Sequence, residues 1–186
     1  MRVILTLALA AAAFVPEIAL AQATSPPAAQ LEAMSRLAHW VGEWEGSGWA
    51  MTGRDQRAEF TTHESVKPRL QGSVLLVEGI GKSRSAGGTE AVTHEALGTI
   101  SFDPSTGQYR FRTYDLSGTP RDEEFRLTDT GAVWGFRVEE RNADLRFTIT
   151  IEGDTWHEIG EVSLDGGTRW FRILDMTLTR AERTGL

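Results

Sequence analysis

The chain has 186 residues and no cysteine. That excludes disulfides, thiol nucleophiles and thiolate ligation of zinc, iron–sulfur clusters or haem. Lysine is almost missing, with only Lys67 and Lys82, and arginine carries the positive charge. Acidic residues still outnumber basic ones, and the net charge is −7. A nucleic-acid binder would show a basic patch, so no nucleic-acid partner is expected. Histidine occurs four times, never in a His-x-His or His-Glu-x-x-His spacing, so no metal centre is read. No Gly-x-Ser-x-Gly nucleophile elbow is present. An apolar run of the length that spans a bilayer, about 20 residues, is also missing.

The longest apolar run, residues 3–15, follows the basic opening Met1-Arg2 and precedes Ala19-Leu20-Ala21. This order of basic start, apolar core and A-x-A site is that of a cleavable secretory signal. Cleavage is expected after Ala21, with Ala23 as the alternative. No cysteine stands at that point to carry a lipid anchor. The expectation is a periplasmic or secreted protein, with residues 1–21 as signal, 22–30 as a Pro-containing linker and 31–182 as one domain. That length suffices for a single hydrophobic core.

What is present in abundance is glycine and tryptophan, 19 and six respectively. They meet in residues 42–50, GEWEGSGWA. Three glycines in seven residues disfavour a helix at about 1 kcal/mol each. In a strand, alternation puts Trp44, Gly46 and Gly48 on one face, a large ring followed by two empty positions. Such a strand suits a sheet that curls sharply as it closes. One helix is predicted over 28–38, with Leu31, Met34, Leu37 and Ala38 as its apolar stripe and Pro27 at its start.

The remainder alternates at the period of a strand. Strands are predicted at 42–50, 59–66, 73–81, 90–102, 109–116, 121–127, 132–141, 145–151, 155–164 and 168–180. Turn sequences such as Asp103-Pro104-Ser105-Thr106-Gly107 and Glu152-Gly153-Asp154 separate them. Short successive connections mean an antiparallel meander, and ten strands in one domain are better closed than left with open edges. The fold expected is therefore all-β, a ten-stranded antiparallel up-and-down barrel with one short N-terminal helix. Loop 83–88, with Gly87-Gly88, is expected to rim an opening.

Gly42-x-Trp44-x-Gly46-x-Gly48, after a short helix and before a meander, resembles the calycin-like barrels. Among these it resembles the nitrobindin-like ten-stranded barrels and the related DUF1579 group. The wider lipocalin superfamily shares a Gly-x-Trp at this place. Its motif tryptophan packs under an arginine at the closed end, which implies a structural Trp44–Arg180 pair here. Nitrobindin-like proteins hold haem iron through a histidine on the last strand. Residues 168–180 contain none, so no cofactor is expected and haem is doubted. Met176 is chemically able to act as an axial ligand, but a core methionine is the preferred reading.

Phase assigns the candidate site residues. His94 shares a face with Val92, Ala96 and Ile100 and is placed inside, whereas His39, His63 and His157 are placed outside. Glu158 is in phase with Trp156, Gly160 and Val162. A carboxylate inside an apolar barrel needs a partner or a raised pKa. An internal ion pair with Arg172 or Arg137 is the preferred account, and an acid–base pair with His94 the alternative. Arg110, Arg112, Arg146, Arg169 and Arg172 are read as outward partners of acidic residues on neighbouring strands. A partly hollow interior is expected, with Trp44, Gly46, Gly48, His94, Trp134, Trp156, Glu158, Trp170 and Met176 around a small, largely apolar ligand. Two other functions stay open: an isomerase- or hydrolase-type enzyme using His94 and Glu158 in the same cavity, and a plugged structural module of the cell envelope.

Overall fold

The computed structural model describes residues 25–84 and 88–182. The expected signal segment, residues 1–21, and residues 85–87 of the expected rim loop lie outside them. Helix α1, Ala28–Ser35, follows Pro27, whose φ of −56° suits the entry to a first turn. It stops three residues earlier than predicted and tightens into a 3-10 turn, Ala38–Trp40. Met34, Leu37 and Trp40 are buried, while Ala38 is exposed. The tightened turn replaces the small Ala38 by the large Trp40 as the last apolar contact.

Eleven strands follow: β1 Gly42–Gly53, β2 Gln56–Arg69, β3 Val74–Arg84, β4 Glu90–Asp103, β5 Gln108–Asp115, β6 Pro120–Glu124, β7 Arg126–Leu127, β8 Gly131–Val138, β9 Ala143–Glu152, β10 Thr155–Ser163 and β11 Phe171–Arg180. Each pairs antiparallel with its neighbour in one sheet, and β1 pairs with β11. The result is an all-β, nearly closed up-and-down barrel. The count is eleven rather than ten because the strand read at 121–127 breaks at Phe125. Its first half, β6, pairs with β5, and its second half, β7, pairs with β8. Phe125 turns its ring into the core, 1 % exposed, and its N–H donates to the Tyr109 carbonyl at 2.9 Å. This broken strand therefore bridges the two ends of the sheet.

The glycines of β1 are demanded by its neighbour. A Cβ at Gly46 would strike the backbone of Thr177 and Leu178, and one at Gly48 that of Asp175 and Met176. The two strands coil together too closely for side chains at either position.

One end of the barrel is sealed. The Tyr109 hydroxyl donates to the Ala33 carbonyl of α1 at 2.6 Å, and Trp44 Nε1 donates to the Trp40 carbonyl at 2.9 Å. The Trp40 ring packs edge-on against Phe125 and Trp156, with centroids 5.5 and 5.3 Å apart. Trp44 meets Trp156 at 5.7 Å. Arg180 covers Trp44 from outside, its guanidinium 4.0 Å from the ring centroid.

Two bulges shift the phase of strands. On β4, Lys82 pairs with Val92 and Gly81 with His94, so Thr93 is the extra residue. On β11, Leu174 pairs with Gly160 but Arg172 pairs with Glu161, so Ile173 is extra. Every side chain beyond such a bulge moves to the opposite face.

Candidate functional site

The sealed end is the floor of a cavity of about 590 Å³ inside the barrel. Its walls come from the inward positions of the strands. Phe60 of β2, Val77 of β3, Phe111 of β5, Trp134 of β8, Phe147 of β9 and Leu174 of β11 form the apolar belt. Trp134 stacks on Phe147 with centroids 4.5 Å apart and meets Phe111 edge-on at 5.0 Å. Phe111 fits because Gly98, diagonal to it on β4, has no side chain to obstruct the ring. Toward the open end lie Thr52, Ser83, Thr93, His94, Asp115 and Arg121. There Arg121 Nη1 donates to Asp115 Oδ2 at 3.0 Å, and its guanidinium lies over the Phe136 ring at 4.7 Å.

Two carboxyl groups stand deeper, on the wall of the same cavity. Glu158 on β10 is 8 % exposed. Its one hydrogen-bond donor among the described residues is Trp156 Nε1, at 3.3 Å. Burial raises its pKa to about 7, against the pull of that hydrogen bond. Glu64 on β2 lies opposite Trp44 of β1 and Gly79 of β3. Thr62 Oγ1 is 3.3 Å from its Oε1 and 3.2 Å from the Ile80 carbonyl, and the single hydroxyl proton serves one of them at a time. Burial first, and then the charge of Glu158, raises the Glu64 pKa to about 8. Gly79 makes room for this carboxyl: a Cβ there would collide with both of its oxygens. Both acids line the one cavity, on β2 and β10, with β1 and β11 between their strands.

Five of the residues read from phase line the cavity: His94, Trp134, Trp156, Glu158 and Met176. Four do not. Trp44 lies in the sealed floor, fully buried. Gly46 and Gly48 press on β11 instead of facing a ligand. Trp170 is outside the barrel: the bulge at Ile173 reverses its phase, and the Arg146 guanidinium stacks on it at 4.1 Å. The same mechanism at Thr93 turns Val92 outward, half exposed, while His94 keeps its inward position.

The partners of the acids also differ from expectation. Arg172 pairs with Asp175, and Arg137 with Glu139 and Asp144, all on the outer surface, so neither arginine neutralises Glu158. The charge of Glu158 acts on Glu64, whereas His94 has Asp115 as its charged neighbour. His94 keeps solvent contact at the mouth, yet burial of part of its ring lowers its pKa below the usual histidine value, with Asp115 opposing. His63 and His157 bind Glu43 and Asp175 outside, at 3.2 and 2.9 Å. Arg110 and Arg112 share Asp122 and Arg146 holds Glu161 across neighbouring strands, as read, whereas Arg169 holds Asp165 within its own loop and Arg172 pairs along β11.

Glu64 is the functional residue that the sequence reading passed over. Its signal was present, since it alternates in phase with the apolar Phe60 and Val66. Two further polar groups at the cavity have no partner among the described residues. The indole N–H groups of Trp40 and Trp134 are buried without an acceptor, and both residues line the wall. No cluster of three or more metal-ligating side chains occurs among the described residues. No described helix is long and apolar enough to cross a membrane.

An antiparallel barrel closed at one end by a helix and hollow within defines the calycin or lipocalin-like class of fold. Several solved structures share it, among them the two that follow. Rv2717c from M. tuberculosis superimposes with a TM-score of 0.61 at 16 % identity, over 80 % of this chain and 97 % of that one. The S-type phycobiliprotein lyase CPES from Guillardia theta does so with a TM-score of 0.56 at 10 % identity, over 81 % of this chain and 93 % of that one. No protein-family model matches the sequence, and no curated protein does.

Proposed function

We propose that this is an exported barrel protein that binds a small, largely apolar molecule in its interior. The observation that carries the reading is the cavity of about 590 Å³ with its belt of Phe60, Phe111, Trp134 and Phe147. Ligand sites of a few hundred cubic ångströms with aromatic walls and few polar groups are the usual form of small-molecule pockets. A structural module with a plugged barrel would have filled that space, as protein cores do. The likeness to a phycobiliprotein lyase supports a barrel interior that accommodates a small molecule. Export rests on the A-x-A signal at the start of the chain. Membership of the nitrobindin-like or DUF1579 group rests on the Gly42-x-Trp44-x-Gly46-x-Gly48 strand and the fold.

The enzyme reading has one specific observation in its favour, the two acids Glu64 and Glu158 on the wall of one cavity. Their pKa values, about 8 and about 7, lie near neutrality, where a carboxyl acts as acid or base. In that reading the working pair is Glu64 with Glu158, and His94 stands at the mouth with Asp115.

Titration with a panel of fatty acids, aromatic compounds and haem, followed by quenching of tryptophan fluorescence, tests the binding reading. Trp134 and Trp156 at the cavity report occupancy. Saturable quenching by an apolar member of the panel is expected, and no saturable response from any member would reject the proposal.

A further inference from the structure

Away from the mouth, the cavity wall holds two acids and, among the described residues, no base to match them. The titratable and charged groups on the cavity wall are Glu64 from β2, His94 from β4, Tyr114 and Asp115 from β5, Arg121 from β6 and Glu158 from β10. Strands β1, β3, β8, β9 and β11 contribute none. The one cation of this set, Arg121, is committed to Asp115 at the mouth. Neither Glu64 nor Glu158 forms an ion pair with any described residue. Each receives a single hydrogen bond, from Thr62 and Trp156 respectively, so most of their oxygen lone pairs are unused. Buried acids left in this state are costly unless something completes them.

We propose that the molecule this cavity takes is an apolar amine, whose protonated nitrogen sits between Glu64 and Glu158 while its hydrocarbon body fills the aromatic belt. The inference rests on the binding function above and narrows its ligand class. An ammonium group carries N–H donors and one positive charge, which is what two carboxyls without an ion-pair partner lack. A fatty acid brings a third acid to the pair and is disfavoured. An alcohol donates one hydrogen bond and brings no charge. Binding an ammonium favours the ionised carboxyls, so occupancy releases protons near neutral pH. The affinity for an amine then rises from pH 6 to pH 8.5 as the pair ionises, while the aliphatic ammonium stays charged.

The test uses three probes on one chain: dodecylamine, dodecanol and dodecanoate, each below its micellar concentration. Each displaces the neutral dye N-phenyl-1-naphthylamine from the protein. At pH 8 the amine is expected to bind about tenfold tighter than the alcohol or more, the worth of a charged hydrogen bond, and dodecanoate the weakest. The double variant Glu64→Gln, Glu158→Gln should lose the amine's advantage and keep the alcohol's affinity. That arm also separates the cavity from general attraction of amines to a chain of net charge −7. Equal binding of amine and alcohol, preference for dodecanoate, or an amine preference that survives in the double variant overturns the inference and leaves the binding function standing. If neither dye nor any probe binds, the binding function itself falls and the inference with it.

Discussion

Arg180, at the end of the last strand, lies directly opposite Trp44, at the start of the first, and lays its guanidinium over the indole at 4.0 Å. The same guanidinium donates to the carbonyls of Val41 and His39, at 2.7 and 2.8 Å, and to Asp154 at 2.8 Å. One side chain thus ties β1, β11, the 3-10 turn and the β9–β10 hairpin at the sealed end. Removing it loses a cation–π contact and leaves two carbonyls without their charged donor. Arg180→Ala should cost about 2–4 kcal/mol, or a fall of about 5–10 °C in melting temperature. Affinity for an interior ligand should hardly change, because Arg180 does not line the cavity. A larger loss of affinity than of stability would place the contact in the wrong role.

The two interior acids make stability depend on pH. In the unfolded chain both titrate near 4.5, while in the barrel Glu64 titrates near 8 and Glu158 near 7. Between these values the folded state keeps protons that the unfolded state has released. Stability on their account is full below pH 4.5, falls as pH rises, and levels off above pH 8. The slope is at most about 1.4 kcal/mol per pH unit for each group. The depressed carboxylates Asp115 and Asp165, near 2, act in the opposite sense but below pH 4, outside this window. Denaturant melts at pH 5 and pH 8 should show wild type weakening more than Glu64→Gln. A wild-type advantage that grows with pH would contradict the buried pair.

The bareness of β1 is a packing demand, so it can be tested without any ligand. Gly48→Val drives a side chain into the backbone of Asp175 and Met176 and should cost about 3 kcal/mol or more. Gly53→Ala, on the same strand, meets only the flexible Gln56 side chain at 3.4 Å. It should stay within about 0.5 kcal/mol of wild type. Equal effects of the two substitutions would mean that β1 and β11 are not in close contact.

The sequence argues against haem, because residues 168–180 carry no histidine. On β11 the side chain of Asp175 faces outward to His157 and Arg172, and Met176 is a buried cavity residue. Titration with ferric haem should give no Soret band that disappears in His94→Ala. A band that does so would make His94 an iron ligand.

The barrel was legible because its signals are local and repeated. Turn sequences and alternation recur along the whole chain, and a misjudged strand end changes little. The split at Phe125 was not legible, since nothing in Phe125 itself distinguishes a bent strand from a straight one. Of the site, the residues with an uninterrupted alternating run to their anchor were placed: Trp134, Trp156, Glu158 and Met176. Trp170 was misplaced because a single extra residue, Ile173, separates it from that run. Trp44, Gly46 and Gly48 were assigned to the correct face but at the wrong depth. Alternation fixes in against out, whereas depth depends on where α1 seals the barrel, a long-range contact. Glu64 was missed although its phase was correct, because its importance comes from Glu158, 94 positions along the chain and brought near only by closure.

The account stands on a hollow interior that holds an apolar guest. The most direct measurement is a titration of N-phenyl-1-naphthylamine, read by quenching of the cavity tryptophans, in wild type, Trp170→Phe and Ala96→Trp. Ala96 lines the cavity, so a tryptophan there occupies the space of the guest. Saturable one-to-one binding in wild type and in Trp170→Phe, abolished in a folded Ala96→Trp protein, is the predicted result. Binding that never saturates, or that is undiminished when the cavity is filled, would place the guest on the outer surface and contradict the account.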